Sequence, residues 1–252
     1  MSIIFRSPHE VAAWRKTAQP KSVGFVATMG ALHPGHASLL QQSRKENSVT
    51  VLSIFVNPTQ FNDKKDFEKY PLSLEKDLSL AKENGVDVVF APTAEMIYPD
   101  KYKYKVIENE LSQILCGKDR PGHFDGVLTI VMRLLQIVQP SKAYFGEKDF
   151  QQLSLIKNMV TAFFLPVEII PVATLREDDG LAMSSRNIRL SIEDRKKAPL
   201  IYKSITQCKS APDAIVQLQS AGFIVDYVID LQGRRFAAAK LGEVRLIDNV
   251  KI

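Results

Sequence analysis

Two of the four histidines in this 252-residue chain, His33 and His36, share one turn, Leu32-His33-Pro34-Gly35-His36, between a predicted strand and a predicted helix. Backbone N–H groups at a helix start attract anions, a glycine lets a phosphate approach the main chain, and imidazoles donate to phosphate oxygens. The turn therefore has the make-up of a nucleotide site, although two histidines that only cap the helix also fit an isolated HxGH. A second group, Gly146-Glu147-Lys148-Asp149, again follows a strand and precedes a helix. Lys148 would neutralise phosphate charge, and Asp149 would receive a ribose hydroxyl or help hold Mg²⁺; the alternative is a charged loop with Asp149 as N-cap. The third group is Met183-Ser184-Ser185-Arg186-Asn187, whose hydroxyls, guanidinium and amide suit either a triphosphate or a plain polar loop. Coincidence accounts for one such loop far better than for three on one sheet edge, which favours nucleotide binding.

Uncharged amides lie between these groups. Gln60, in Asn57-Pro58-Thr59-Gln60-Phe61, and Gln152 offer donors and acceptors for the hydroxyl and carboxylate groups of a small polar acid, or serve as caps and surface amides. Arg120 puts a cation in the turn Arg120-Pro121-Gly122-His123, and Tyr70 before Pro71 is a lid aromatic or core packing. No third Cys, His or acidic ligand has the spacing of a zinc site, so no metal-ligating residues are assigned.

The elements that must position these groups follow from periodicity. Apolar, β-branched runs at 23–28, 49–56, 86–91, 143–145 and 167–173 read as strands, the second covered on both faces as in a parallel sheet. Helical spacing occupies 35–45, 73–84, 126–139 and 150–163. Five strands alternating with helices argue for an α/β, doubly wound parallel sheet that binds ligands beyond the carboxyl ends of its strands. The polar stretch Arg176 to Gly180 breaks this rhythm, which divides a larger domain, 1–175, from a smaller α+β domain, 176–252. In the latter, Ser191 and Asp194 cap a helix reaching about Cys208 that Pro199 should kink or break, and strands follow at 224–231 and 244–247.

A net charge of +5 and a pI near 9.1 suit anionic ligands. Basic residues are scattered among acidic ones rather than gathered with aromatics, which argues against nucleic acid as a partner. Cys116 and Cys208 form no CxxC, as expected of a cytoplasmic protein. No apolar run approaches the roughly 18 residues of a membrane span, so no membrane association is expected.

Six stretches in order carry a resemblance to the pantothenate synthetase family: TMGALHPGH at 28–36, FVNPTQF at 55–61, RPGHFDGV at 120–127, FGEKDFQQL at 145–153, DGLAMSSRN at 179–187 and VRLIDN at 244–249. HxGH alone also suits cytidylyltransferases, adenylyltransferases and class I aminoacyl-tRNA synthetases; GEKDFQQ and MSSRN narrow the match. The resemblance implies a Rossmann-type N-terminal domain, a C-terminal domain that closes over the site, a homodimer, and ATP-dependent joining of pantoate to β-alanine through a pantoyl adenylate. It assigns ATP to Met29, Gly30, Ala31, Leu32, His33, Pro34, Gly35 and His36, to Gly146, Glu147, Lys148 and Asp149, to Leu175, and to Met183, Ser184, Ser185 and Arg186. It gives pantoate and β-alanine to Gln60 and pantoate to Gln152, with Asn57, Tyr70 and Arg120 in second rank. His36 would be the proton donor, and His33, Lys148, Ser184, Ser185, Arg186 and Mg²⁺ would stabilise phosphate charge. The sequence departs from the family pattern at Ala27, where proline is usual, and in a C-terminal region expected to be shortened between Ser204 and Ile224.

Overall fold

The computed structural model describes residues 2–62, 67–68, 70–71 and 73–252. Two compact units emerge: Met1–Gly146 with Gln151–Val172, and Glu147–Phe150 with Ala173–Ile252.

The first unit is built on six parallel strands: β1 (Ile3–Phe5), β2 (Val23–Thr28), β3 (Val49–Ile54), β4 (Val88–Phe90), β5 (Lys142–Gly146) and β6 (Glu168–Val172). Their order is β1-β4-β3-β2-β5-β6, so the chain winds outward in one direction from β2 through β3 and in the other through β5. The carboxyl ends of β2 and β5 therefore flank the topological switch point, where open α/β sheets bind ligands. Val26, Leu52 and Val89 project from successive strands into one core with Leu39 and Leu40 of α2 (Pro34–Glu46) and Ala81 of α3 (Leu74–Glu83). Helix α4 (His123–Val138) is buried on most of its surface, and α5 (Phe150–Ala162) leads to β6. Five of the strands fall where periodicity places them. The sixth, β1, was not expected, because three residues are too few to show alternation; it pairs with β4 at the sheet edge. The helix after it, α1 (Pro8–Ala18), did carry a signal, a Ser7/Glu10 capping box with proline at its start.

The second unit is an antiparallel meander, β7 (Ile224–Leu231), β8 (Arg234–Leu241) and β9 (Val244–Lys251), packed with α6 (Leu200–Gln207) and α7 (Ala211–Ser220) around Ile201, Ile205, Leu218 and Val228. The expected helix through Cys208 is broken at Pro199, which caps α6 after a short helix at Ile192–Lys197. Strand β8 was missed and β9 underestimated. Arg-Arg-Phe-Ala-Ala-Ala-Lys-Leu has helix-forming alanines, but burial in the middle of a sheet decides its state. The loop joining β7 to β8 is a two-residue turn in which Gln232 and Gly233 both have positive φ, as type I′ geometry demands. Among the described residues no helix is long and apolar enough to cross a membrane.

Candidate active site

Strand β2 ends at Thr28, whose hydroxyl donates to the Ser53 carbonyl and accepts from the Gly30 N–H. The chain then turns sharply through Gly30 and Ala31, both at positive φ, a conformation that glycine tolerates and alanine resists. Asp77, 3% exposed on α3, holds that turn: its carboxylate accepts from the Ala31 N–H at 3.0 Å and the Leu32 N–H at 2.7 Å. A Cβ on Gly30 would lie 2.8 Å from Asp77 Oδ2, so carboxylate and glycine fit only together. Sequence reasoning passed over Asp77; the available signal was one acid among Leu74, Leu78 and Ala81 on a predicted apolar face.

His33 is the N-cap of α2, and the two histidines form a capping box. His33 Nδ1 accepts from the Gly35 N–H at 3.1 Å, and His36 Nδ1 accepts from the His33 N–H at 3.3 Å. The rings lie 4.0 Å apart, tilted by 40°. Main-chain amides only donate, so in each ring Nδ1 is the acceptor and the neutral imidazole carries its proton on Nε2. Capping and anion binding are thus compatible: the cap fixes the tautomer, and the tautomer makes each ring a donor at its outer nitrogen, beside a helix N-terminus.

Asn57, Gln60, Tyr70 and Arg120 gather around the 3₁₀ turn Pro58–Gln60 that follows β3. Gln60 Nε2 donates to Met29 Sδ at 3.1 Å, which ties this turn to the segment between β2 and α2. Asn57, 1% exposed, bonds Gln60 Oε1, the Gly126 carbonyl, Thr59 and Tyr98. The Gln60 carbonyl meets His123 Nδ1 at 2.7 Å and accepts from Arg120 Nη2 at 3.3 Å. Tyr70 is buried edge-on to Phe61. A Cβ on Gly126 would sit 2.5 Å from the Thr59 carbonyl oxygen, so α4 approaches the turn this closely only with glycine there. Gln152 is half-buried one turn into α5. Its neighbour Gln151, unremarked in the sequence, is the structural amide, donating to the Leu111 and Ile114 carbonyls and accepting from the Cys116 N–H.

Gly146 closes β5, alongside β2. In the second unit, Glu147–Asp149 form a 3₁₀ turn held by Asn249 of β9, whose Nδ2 donates to the Glu147 and Lys148 carbonyls, both at 2.9 Å. Arg234 stacks on Phe150 and bonds the other end of the Asn249 amide. Lys148 Nζ is 3.8 Å from Asp149 Oδ2. Leu175 and Met183 face each other, with the Met183 N–H donating to the Leu175 carbonyl. Ser184 then turns the chain, its Oγ accepting from the Arg186 N–H, and Ser185 is half-buried beside it. This hairpin is anchored by Arg176, which pairs through two bonds with the fully buried Asp248 carboxylate and stacks on Tyr202. Asp248 and Asn249 stand in the VRLIDN stretch, yet nothing local announced that they brace two loops about 70 and 100 residues away.

A family profile for pantoate-beta-alanine ligase matches residues 3–251. A pantothenate synthetase from Bdellovibrio bacteriovorus is 61% identical over 252 residues, 100% of both chains, and one from Legionella pneumophila is 51% identical over 98% of each. Among solved structures, a Francisella tularensis pantoate-beta-alanine ligase, complexed with beta-gamma ATP and beta-alanine, is similar at a TM-score of 0.94, with 41% identity over 100% of this chain and 98% of its own. On that match along its whole length, the chain belongs to the pantoate–β-alanine ligase family.

Proposed function

We propose that this chain condenses pantoate with β-alanine in two steps. The pantoate carboxylate attacks the α-phosphorus of ATP, forming the acyl–phosphate bond as pyrophosphate leaves. The β-alanine amine then attacks the acyl carbon of the pantoyl adenylate; the C–N bond forms, a proton leaves nitrogen, and AMP departs. The observation that carries this reading is the paired-histidine cap at the switch point, two imidazoles locked as Nε2–H donors at a helix start, in a chain of this family. No protein nucleophile is needed; positioning and charge stabilisation supply the rate.

Within this reading His33 and His36 donate to phosphate oxygens, and His36 is the better placed in the family pattern to give a proton. Lys148, Ser184, Ser185 and Arg186 add positive charge and hydroxyl donors. Met29 to His36, Gly146 to Asp149, Leu175 and Met183 to Arg186 bind ATP; Gln60 binds both acids, and Gln152 binds pantoate. Asn57 and Arg120 shape the Gln60 turn, and Tyr70 walls it. No three His, Cys, Asp or Glu side chains converge into a metal cage among the described residues. Mg²⁺ arriving with ATP would neutralise charge on the triphosphate, and Asp149 would help hold it. The same reading includes a cytoplasmic homodimer, for which light scattering should give twice the 28.3 kDa chain mass.

The decisive experiment measures AMP from ATP with each acid omitted in turn. AMP release that requires both pantoate and β-alanine supports the ligase. Nucleotide retained on the product, or AMP released at full rate without pantoate, would overturn it.

A further inference from the structure

Asn57 is sealed between two main-chain groups of fixed polarity. Its Oδ1 accepts from the Thr59 N–H at 3.4 Å, and its Nδ2 donates to the Gly126 carbonyl at 3.2 Å. An amide N–H never accepts and a carbonyl never donates, so the Asn57 side chain has one admissible orientation. Nδ2 also lies 3.0 Å from Gln60 Oε1 and must donate to it. The carbonyl end of Gln60 is thereby turned inward, and its Nε2 points to Met29 Sδ. On the other side, Tyr98 Oη lies 2.7 Å from Asn57 Oδ1, which only accepts, so the phenol is the donor; Thr59 Oγ1 donates to the same oxygen at 2.9 Å. Burial pushes the Tyr98 phenol up to about 12, which keeps that proton in place at working pH.

We propose that Tyr98 and Asn57 are positioning residues that fix the polarity of the Gln60 amide, so that a ligand at Gln60 meets N–H donors and no acceptor. This rests on the assignment of Gln60 to the acid substrates. It sharpens that assignment: the ligand atom opposite Gln60 is an oxygen acceptor, a carboxylate oxygen or a hydroxyl lone pair, and not an ammonium group.

The test is equilibrium binding of pantoate and of ATP by calorimetry, which needs no turnover. Tyr98→Phe keeps the ring and removes the donor; the pantoate Kd is expected to rise about 5-fold, the worth of roughly one hydrogen bond, with the ATP Kd unchanged. In a Gln60→Ala background the same substitution is expected to do nothing further, because its effect runs through Gln60. Asn57→Asp replaces the Nδ2 donor by an acceptor and should weaken pantoate binding by about 10-fold or more. If that variant fails to fold, Tyr98→Phe alone decides. An unchanged pantoate Kd in Tyr98→Phe, or an equal rise with and without Gln60, overturns the relay while leaving Gln60 a ligand. If Gln60→Ala itself binds pantoate normally, the assignment of Gln60 fails and the relay falls with it.

Discussion

His33 and His36 illustrate how one side chain serves local structure and chemistry at once. Each satisfies or shares in the N-terminal cap of α2 through Nδ1, and that bond dictates which ring nitrogen carries the proton. If His36 donates to phosphate as proposed, His36→Ala should lower the rate of adenylate formation by on the order of 10²-fold, read as pyrophosphate release at saturating ATP. His36→Asn, whose Oδ1 retains an acceptor for the His33 N–H, should be nearly as slow; normal turnover in either variant would remove His36 from the mechanism. Asp77 acts at the same scale by accepting from Ala31 and Leu32. Asp77→Ala leaves two main-chain donors without their carboxylate, and the expected result is a loss of about 2 kcal/mol in urea unfolding together with a raised KM for ATP. The histidines were legible because HxGH is contiguous. Asp77 was not, because its partners lie 45 and 46 residues away.

Among elements, the loops that matter are braced from outside themselves. The Glu147–Asp149 turn depends on Asn249 of β9, and the Pro58–Gln60 turn depends on the absence of a side chain at Gly126 of α4. Asn249→Ala removes both donors to the Glu147 and Lys148 carbonyls, so hydrogen exchange should quicken through 147–150 and the KM for ATP should rise, with about 2 kcal/mol lost from the second unit. Gly126→Ala forces a methyl against Thr59; a cost of about 1–3 kcal/mol is expected, with weaker pantoate binding but unchanged ATP binding. The parallel strands β2 to β6 were readable from continuous apolar runs and the helices between them from period and punctuation. Strand β8 shows the limit of that method, since its three alanines look helical until sheet pairing and burial on both sides override propensity.

At the scale of the whole molecule, two carboxylates held by arginine contribute to the response to acid. Hydrogen bonds from Arg133 hold Asp100 in the first unit well below the usual aspartate value of 3.8, and Arg235 lowers Asp230 in the second. A carboxylate with a depressed folded-state pKa binds fewer protons folded than unfolded, so its stabilisation is present above about pH 4 and is lost as pH falls through the folded value. Asp100→Asn and Asp230→Asn should each be less stable than the parent at pH 7, with a difference that shrinks below pH 4; urea unfolding at several pH values checks this. A difference independent of pH would mean that packing, not charge, is what these pairs supply.

The sequence by itself determined the parallel α/β class, the order of the chemistry-bearing loops and the family, because these reside in local periodicity and contiguous motifs. Tertiary structure decided the rest: that β2 and β5 are neighbours at the switch point, that Asp77 and Asn249 brace loops remote in the chain, and which end of the Asn57 and Gln60 amides faces which partner. The physical reason is that orientation and tautomer are set by partners of fixed polarity, and those partners meet only when distant segments pack together.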